Sequence, residues 1–166
     1  MKRNMLAAVL ASAALCLALA APVAATDPEV PFGGHTAGTD TYLPPVGCPA
    51  GASWLHMGDA QGELLHLGRV HLVNSHCTWE DPATLSGHFG PGTMTLTAAN
   101  GDQLVLAEQG TYTIDVVALA AYPVGSWVVV DGTGRFAGAS GAGTFAGVSD
   151  FVSGISTLRF SGSISY

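Results

Sequence analysis

Lysine is almost missing from this chain. The only one is Lys2, and of five basic residues just Arg69, Arg135 and Arg159 lie beyond residue 25. All twelve carboxylates lie in that same part, which therefore carries a net charge of −9. Phosphate binding needs clustered cations, so nucleic acids and anionic membrane surfaces are excluded as expected partners. The acidity reads instead as solubility outside the cell. Also missing beyond residue 25 is any helical stripe: residues 116–121 are the one ambiguous run, and Pro123 limits it. Cysteine is scarce, with Cys16, Cys48 and Cys77 alone.

The first 25 residues read as a secretory leader, with Lys2 and Arg3 as its basic start and residues 5–20 as its apolar run. Val23-Ala24-Ala25 supplies the small residues for cleavage, and Thr26 is the expected mature N-terminus. An apolar run of that length is short of the ~20 residues needed to span a bilayer. A lipoprotein reading through Cys16 meets Leu15 where a small residue belongs. The expected location is extracellular or periplasmic, with no membrane attachment after cleavage.

Cleavage leaves Cys48 and Cys77. An even pair in an exported chain is most simply a disulfide, which here closes a loop worth roughly 3–4 kcal/mol by chain entropy. A catalytic or metal-bound thiol is the alternative.

What the chain has in abundance is glycine, 22 in all. The spacing G-x-G-x-F-x-G occurs twice: Gly132/Gly134/Phe136/Gly138, then Gly141/Gly143/Phe145/Gly147. Such density defeats a helix and suits a strand–turn–strand corner, the glycines giving close approach and each Phe a buried anchor. Residues 26–51, rich in Pro, Gly, Thr and Asp, read as an extended arm tethered through Cys48, with Pro44-Pro45 and Pro49 keeping it out of a sheet. From residue 52 the chain reads as β.

Residues 63–77 form a long strand candidate, apolar at Leu65, Leu67, Val70 and Leu72, with a change of parity that suggests a bulge near Gly68. A turn is expected over 79–86, where Asp81-Pro82 supplies the chemistry. Strands follow at 87–98 and 102–108. A three-residue loop with Gly101 left-handed pairs Leu96 with Leu104 and Met94 with Leu106, leaving one apolar face. A two-residue loop would split those side chains between both faces. Further strands are expected at 111–118, 126–130, 142–145 and 157–166. Seven or eight strands with one apolar face each predict an all-β domain over 52–166, a single antiparallel barrel of about eight strands. A two-sheet sandwich is the alternative.

The run Gly132-Thr133-Gly134-Arg135-Phe136-Ala137-Gly138-Ala139-Ser140-Gly141 resembles the G-T-G-x-F-x-x-A-x-G corner of the allene oxide cyclase and dirigent families. The run Leu96-Thr97-Ala98-Ala99-Asn100-Gly101-Asp102 and the ending Ile164-Ser165-Tyr166 are similar to secreted bacterial barrels of that superfamily. The resemblance spans roughly residues 63–166. It implies an eight-stranded antiparallel barrel, often trimeric, with an apolar cavity in which cyclases fold a substrate or dirigent proteins steer radical coupling. Asp131 departs from the pattern, standing where a second glycine often precedes G-T-G, and no acid or base residue of either family maps onto a matching motif here.

Several chemical readings can be weighed from the residues alone. His66 and His76 share a parity but sit about 33 Å apart along a strand, too far to chelate together. His76 and His88 flank the expected turn at 79–86, with Glu80 nearby, and form the candidate metal cluster; surface or cross-strand histidines are the plain alternative. Gly132-Thr133-Gly134 has Ala137 where a nucleotide fingerprint needs glycine, and no lysine follows to make a Walker loop. Gly138-Ala139-Ser140-Gly141 lacks the last glycine of a nucleophile elbow. Glu80 and Asp81 are adjacent, so they diverge on a strand where glycosidase carboxylates must converge. The candidate cavity residues are Arg69, Arg135, Trp127 and Tyr112, with Arg135 inside the lumen if Phe136 packs outward.

The expected function is a secreted barrel binding a small, largely apolar ligand, without a cofactor. The alternatives are a cofactor-free cyclase or isomerase, a dirigent-like stereocontrol protein, or an oligomeric structural protein with a filled barrel. A homo-oligomer, by resemblance a trimer, is the other expected partner.

Overall fold

The structure, a computed structural model, describes residues 28–166. The expected leader, its cleavage site and Cys16 lie outside them. Eight strands follow in order: β1 (Val30–Leu43), β2 (Trp54–Leu64), β3 (Gly68–Asp81), β4 (Ser86–Ala98), β5 (Gln103–Asp115), β6 (Ala120–Gly132), β7 (Ser140–Asp150) and β8 (Ile155–Ser165). A 3-10 turn at Gly134–Phe136 lies between β6 and β7. Each strand pairs antiparallel with the next, and β8 returns to β1, with Val30 opposite Ile164 and Thr39 opposite Ile155. The sheet closes into a barrel, so no edge is left to pair elsewhere. The sandwich alternative is excluded.

Residues 30–43 correct the expected arm. They form β1, paired along its length to β2 and β8. Pro44-Pro45 ends this strand instead of keeping the segment out of the sheet, so the barrel starts at Val30. Residues 63–77 are not one bulged strand. β2 stops at Leu64, and His66 (φ 67°) with Gly68 (φ 71°) turns the chain into β3. The parity change near Gly68 marks that hairpin. The expected strands 102–108 and 111–118 merge into β5, because Gly110 continues the ladder opposite Phe89 and Gly125. At 99–102 the expected hairpin is present: Leu96 opposes Leu104, Met94 opposes Leu106, and Gly101 takes φ 90°.

The barrel has two unlike ends. One carries the β2–β3, β4–β5 and β6–β7 connections and the start of β1; this lower end is filled. Phe32, Leu72, Met94, Leu96, Leu104, Leu106 and Ile164 all lie below 3% exposure. Phe136 plugs the opening, fully buried against Tyr166 with ring centroids 5.2 Å apart. The inward glycines belong to this packing. Gly143 and Gly162 face each other on β7 and β8 beneath Trp127, and a Cβ at either would run into the indole. The two G-x-G-x-F-x-G copies therefore do different jobs: the first makes the plug, the second the inner face of β7.

The upper end carries loops 44–53, 82–85, 116–119 and 151–154. The last three share one design. Asp81, Asp115 and Asp150 each accept a hydrogen bond at Oδ1 from the backbone N–H two residues on, at 2.8–3.0 Å. Four residues after each Asp comes a left-handed position: Leu85, Leu119 and Gly154. Asp115 and Asp150 also accept from the following N–H, and these backbone donors hold both carboxyls below their ordinary value. The first upper loop is tied down by the Cys48–Cys77 disulfide, with Cα atoms 5.7 Å apart. Among the described residues no helix is long and apolar enough to cross a membrane.

Candidate functional site

Inward positions change character halfway up the barrel. On β3 the inward series runs Val70, Leu72, then Asn74, His76, Thr78; on β5 it runs Leu104, Leu106, then Glu108. The apolar half packs, and the polar half borders a cavity of about 400 Å³ that opens between the upper loops. Gly38 and Gly58 line it beside Asp40 and His56, and both are sites of close approach: a Cβ would run into the Asp59 carbonyl at Gly38 and into the Asn74 amide at Gly58. Apolar walls come from Phe89, Met94, Phe145 and Leu158. Tyr42, Trp54 and Tyr112 also line the cavity.

One arc of the wall is a run of polar and ionisable groups contributed by six strands and joined by hydrogen bonds and one ring stack. Ser149 on β7 and Ser156 on β8 both donate to Asp40 Oδ2 on β1. Asp40 Oδ1 lies 3.1 Å from His56 Nε2 on β2. His56 stands directly opposite His76 in the β2–β3 ladder, and their rings stack with centroids 4.4 Å apart and 16° between planes. His76 Nδ1 lies 2.9 Å from Glu108 Oε1 on β5, and Asn74 Nδ2 donates to the same oxygen at 3.1 Å. The Glu108 side chain has no exposure and His76 only 8%. Behind His76 the β3–β4 ladder slips between Ser75 and Thr78, a bulge of the kind that re-aims side chains beside functional sites.

Burial works to raise the Asp40 carboxyl, but the hydrogen bond and charge of His56, with both serine hydroxyls, outweigh it and hold Asp40 below its ordinary value. Tyr42 is raised by partial burial and then by the Asp40 charge, and Tyr112 by burial and the Glu80 charge. Both remain phenols at neutral pH.

Four buried side-chain atoms have no hydrogen-bond partner among the described residues: Thr36 Oγ1, His56 Nδ1, Thr78 Oγ1 and Glu108 Oε2. All four residues line the cavity. A buried polar atom without a partner costs roughly 1–3 kcal/mol, so this concentration marks the cavity as a place where something else completes the bonding.

Of the expected cavity residues, only Tyr112 lines the cavity. Trp127 is 1% exposed and lies in the packed floor, edge-on to Phe32 at 4.9 Å. Arg69 is exposed on the outer face of β3, opposite Glu63. Arg135 is at the lower plug, because Phe136 packs inward; its guanidinium lies 4.7 Å from the Phe136 ring and donates to the Leu67 carbonyl at 3.3 Å. Of the expected metal cluster, His76 and Glu80 line the cavity and His88 does not. His76 points inward, while His88 stacks on Trp79 at 5.0 Å, and Glu80 Oε2 accepts from Trp54 Nε1 at 3.4 Å. Among the described residues no three His, Cys, Asp or Glu side chains are grouped to hold a metal ion.

Asp40, His56, Asn74 and Glu108 were absent from the expected site. Asn74 and Glu108 carry a signal, since each continues the inward parity of the apolar residues below it on β3 and β5, whereas Asp40 follows Gly34, Thr36 and Gly38 on β1 and has none. The fold and site thus define an eight-stranded closed barrel with one plugged end and one chambered end bearing a polar arc. No family model matches the chain, and neither a curated protein nor a solved structure matches it significantly.

Proposed function

We propose that this protein is an exported barrel that binds a small, largely apolar molecule carrying a hydrogen-bonding head group. The observation that carries the reading is the coincidence of all four unpartnered buried polar atoms with the cavity wall. The apolar body of the ligand lies against Phe89, Phe145 and Leu158, and its head meets the arc of Asp40, His56, His76 and Glu108. A structural barrel would fill its lumen, and the open volume of about 400 Å³ favours binding over that alternative. Exposed apolar side chains at the loop tips, with Val117 91% and Val152 75% exposed, make a rim that an apolar molecule can cross. Export rests on the leader and is supported by the disulfide. The trimer implied by the allene oxide cyclase and dirigent resemblance belongs to the same proposal and is tested by light scattering of the purified protein.

The binding test is a titration with the neutral dye N-phenyl-1-naphthylamine, read by its emission. One saturable site is expected in the wild type, and it should be abolished by Ile114→Trp, which places an indole in the cavity wall. Unsaturable binding, or equal binding by the variant, sinks the reading. Native mass spectrometry of protein from its own host would identify any retained molecule.

A further inference from the structure

Resting on the ligand-binding reading, we propose that His76 is a general base that moves a proton on a bound apolar ketone, so that the cavity isomerises enolisable carbonyl compounds. His76 is fixed on every side but one. Its ring is stacked between His56, at 4.4 Å, and Phe89, at 4.6 Å. Its Nδ1 is engaged by Glu108 at 2.9 Å. Glu108 Oε1 already accepts from Asn74 Nδ2, and as the shared acceptor it takes its second hydrogen bond from the His76 Nδ1–H, which puts the lone pair on Nε2. That nitrogen has no partner among the described residues, and His76 lines the cavity. Glu108 is in turn held by Asn74, at 3.1 Å. A base oriented by a buried carboxylate, which is itself oriented by a third group, is the arrangement that general-base catalysis requires.

The step balances without a co-reactant. His76 Nε2 removes a proton from the carbon between the carbonyl and a β,γ double bond. The electrons of that C–H bond become the enolate, and Glu108 stabilises the imidazolium formed. The same proton returned to the γ carbon yields the conjugated ketone, with no change of oxidation state. Tyr42 and Tyr112 line the same cavity as phenols and are the donors available to a developing oxyanion. Asn74 and Glu108 are positioning residues in this scheme.

Cyclohex-3-en-1-one, followed by the ultraviolet absorption of its conjugated isomer, and 2-indanone, followed by NMR exchange of its α-protons in D2O, are the test substrates. Dye displacement reports their binding separately. The expected result is a rate at least ~100-fold above the same concentration of free imidazole, lost in His76→Gln and retained in His88→Gln, whose ring lies outside the barrel. In the wild type, 15N NMR should show His76 in the Nδ1–H form. Glu108→Gln should slow the reaction and move His76 toward the Nε2–H form; slow reaction with an unmoved tautomer overturns the positioning role. A wild-type rate equal to imidazole overturns the catalytic proposal without reference to any variant. Ketones that fail to displace a bound dye overturn it too, while leaving the binding reading intact. Failure of the dye itself to bind brings down both.

Discussion

Trp127→Ala tests the division between a packed lower half and an open upper half. The indole is 1% exposed, donates from Nε1 to the Thr144 carbonyl at 3.1 Å, and lies over Gly143 and Gly162. Truncating a buried Trp costs roughly 3–5 kcal/mol through lost transfer energy and the void left behind. The upper end of that range applies, because the glycines beneath have no side chains with which to collapse into the space. Unfolding entropy of ~2.1 cal/mol/K per residue, over a barrel of about 140 residues, converts ~5 kcal/mol into a fall in Tm of ~17 °C. Trp79→Ala is the internal control. Trp79 is on the outer face, stacked on His88, and its loss should cost under ~1 kcal/mol, or about 3 °C. Differential scanning calorimetry of the three proteins decides the matter. Equal falls for the two variants would refute the assignment of Trp127 to a packed interior.

Removing the disulfide by Cys48→Ala with Cys77→Ala frees a loop of 29 residues' separation, which chain entropy values at ~3.6 kcal/mol. The Tm should fall by ~12 °C, and a reductant should do nothing further to that variant. Asp40 has a folded-state pKa below its ordinary 3.8, so its stabilisation is complete above that value and is lost as pH falls through the lowered one. Urea midpoints measured from pH 7 to 2 should therefore drop more steeply for the wild type than for Asp40→Asn below about pH 4; parallel curves would contradict the linkage. Leu119 occupies a left-handed position, φ 53°, that Gly154 fills in the equivalent loop. Leu119→Gly should leave stability unchanged or raise it by up to ~1 kcal/mol, and a clear loss in thermal melts would show that the exposed Leu side chain packs.

Much of this was open to reading along the chain, and the reason is locality. The hairpin at Ala99-Asn100-Gly101 has one loop length that keeps Met94, Leu96, Leu104 and Leu106 on one face, and burial requires that face. Cys48 and Cys77 had no competitor beyond the leader. The alternation of β3, β5 and β8 marked one buried side per strand, and closure removes the edges such strands would otherwise expose. β1 is not legible along the chain because its inward series after Phe32 is Gly34, Thr36, Gly38 and Asp40, which carries no apolar alternation. Gly68 reads along the chain as a bulge because a glycine that turns a chain and one that kinks a strand look alike until the neighbouring strand is placed.

The sequence by itself determined an all-β chain, the parity of most of its strands, one hairpin register and one disulfide, all set by interactions between near neighbours or by elimination. Only the closed barrel decided the rest. It sent Trp127 and Phe136 to fill the lower lumen and left Arg135 outside, because inward volume is shared among all eight strands. It also brought Glu108 on β5 to His76 on β3, and carried Ser149 and Ser156 to Asp40, since β7 and β8 reach β1 only once the first and last strands meet.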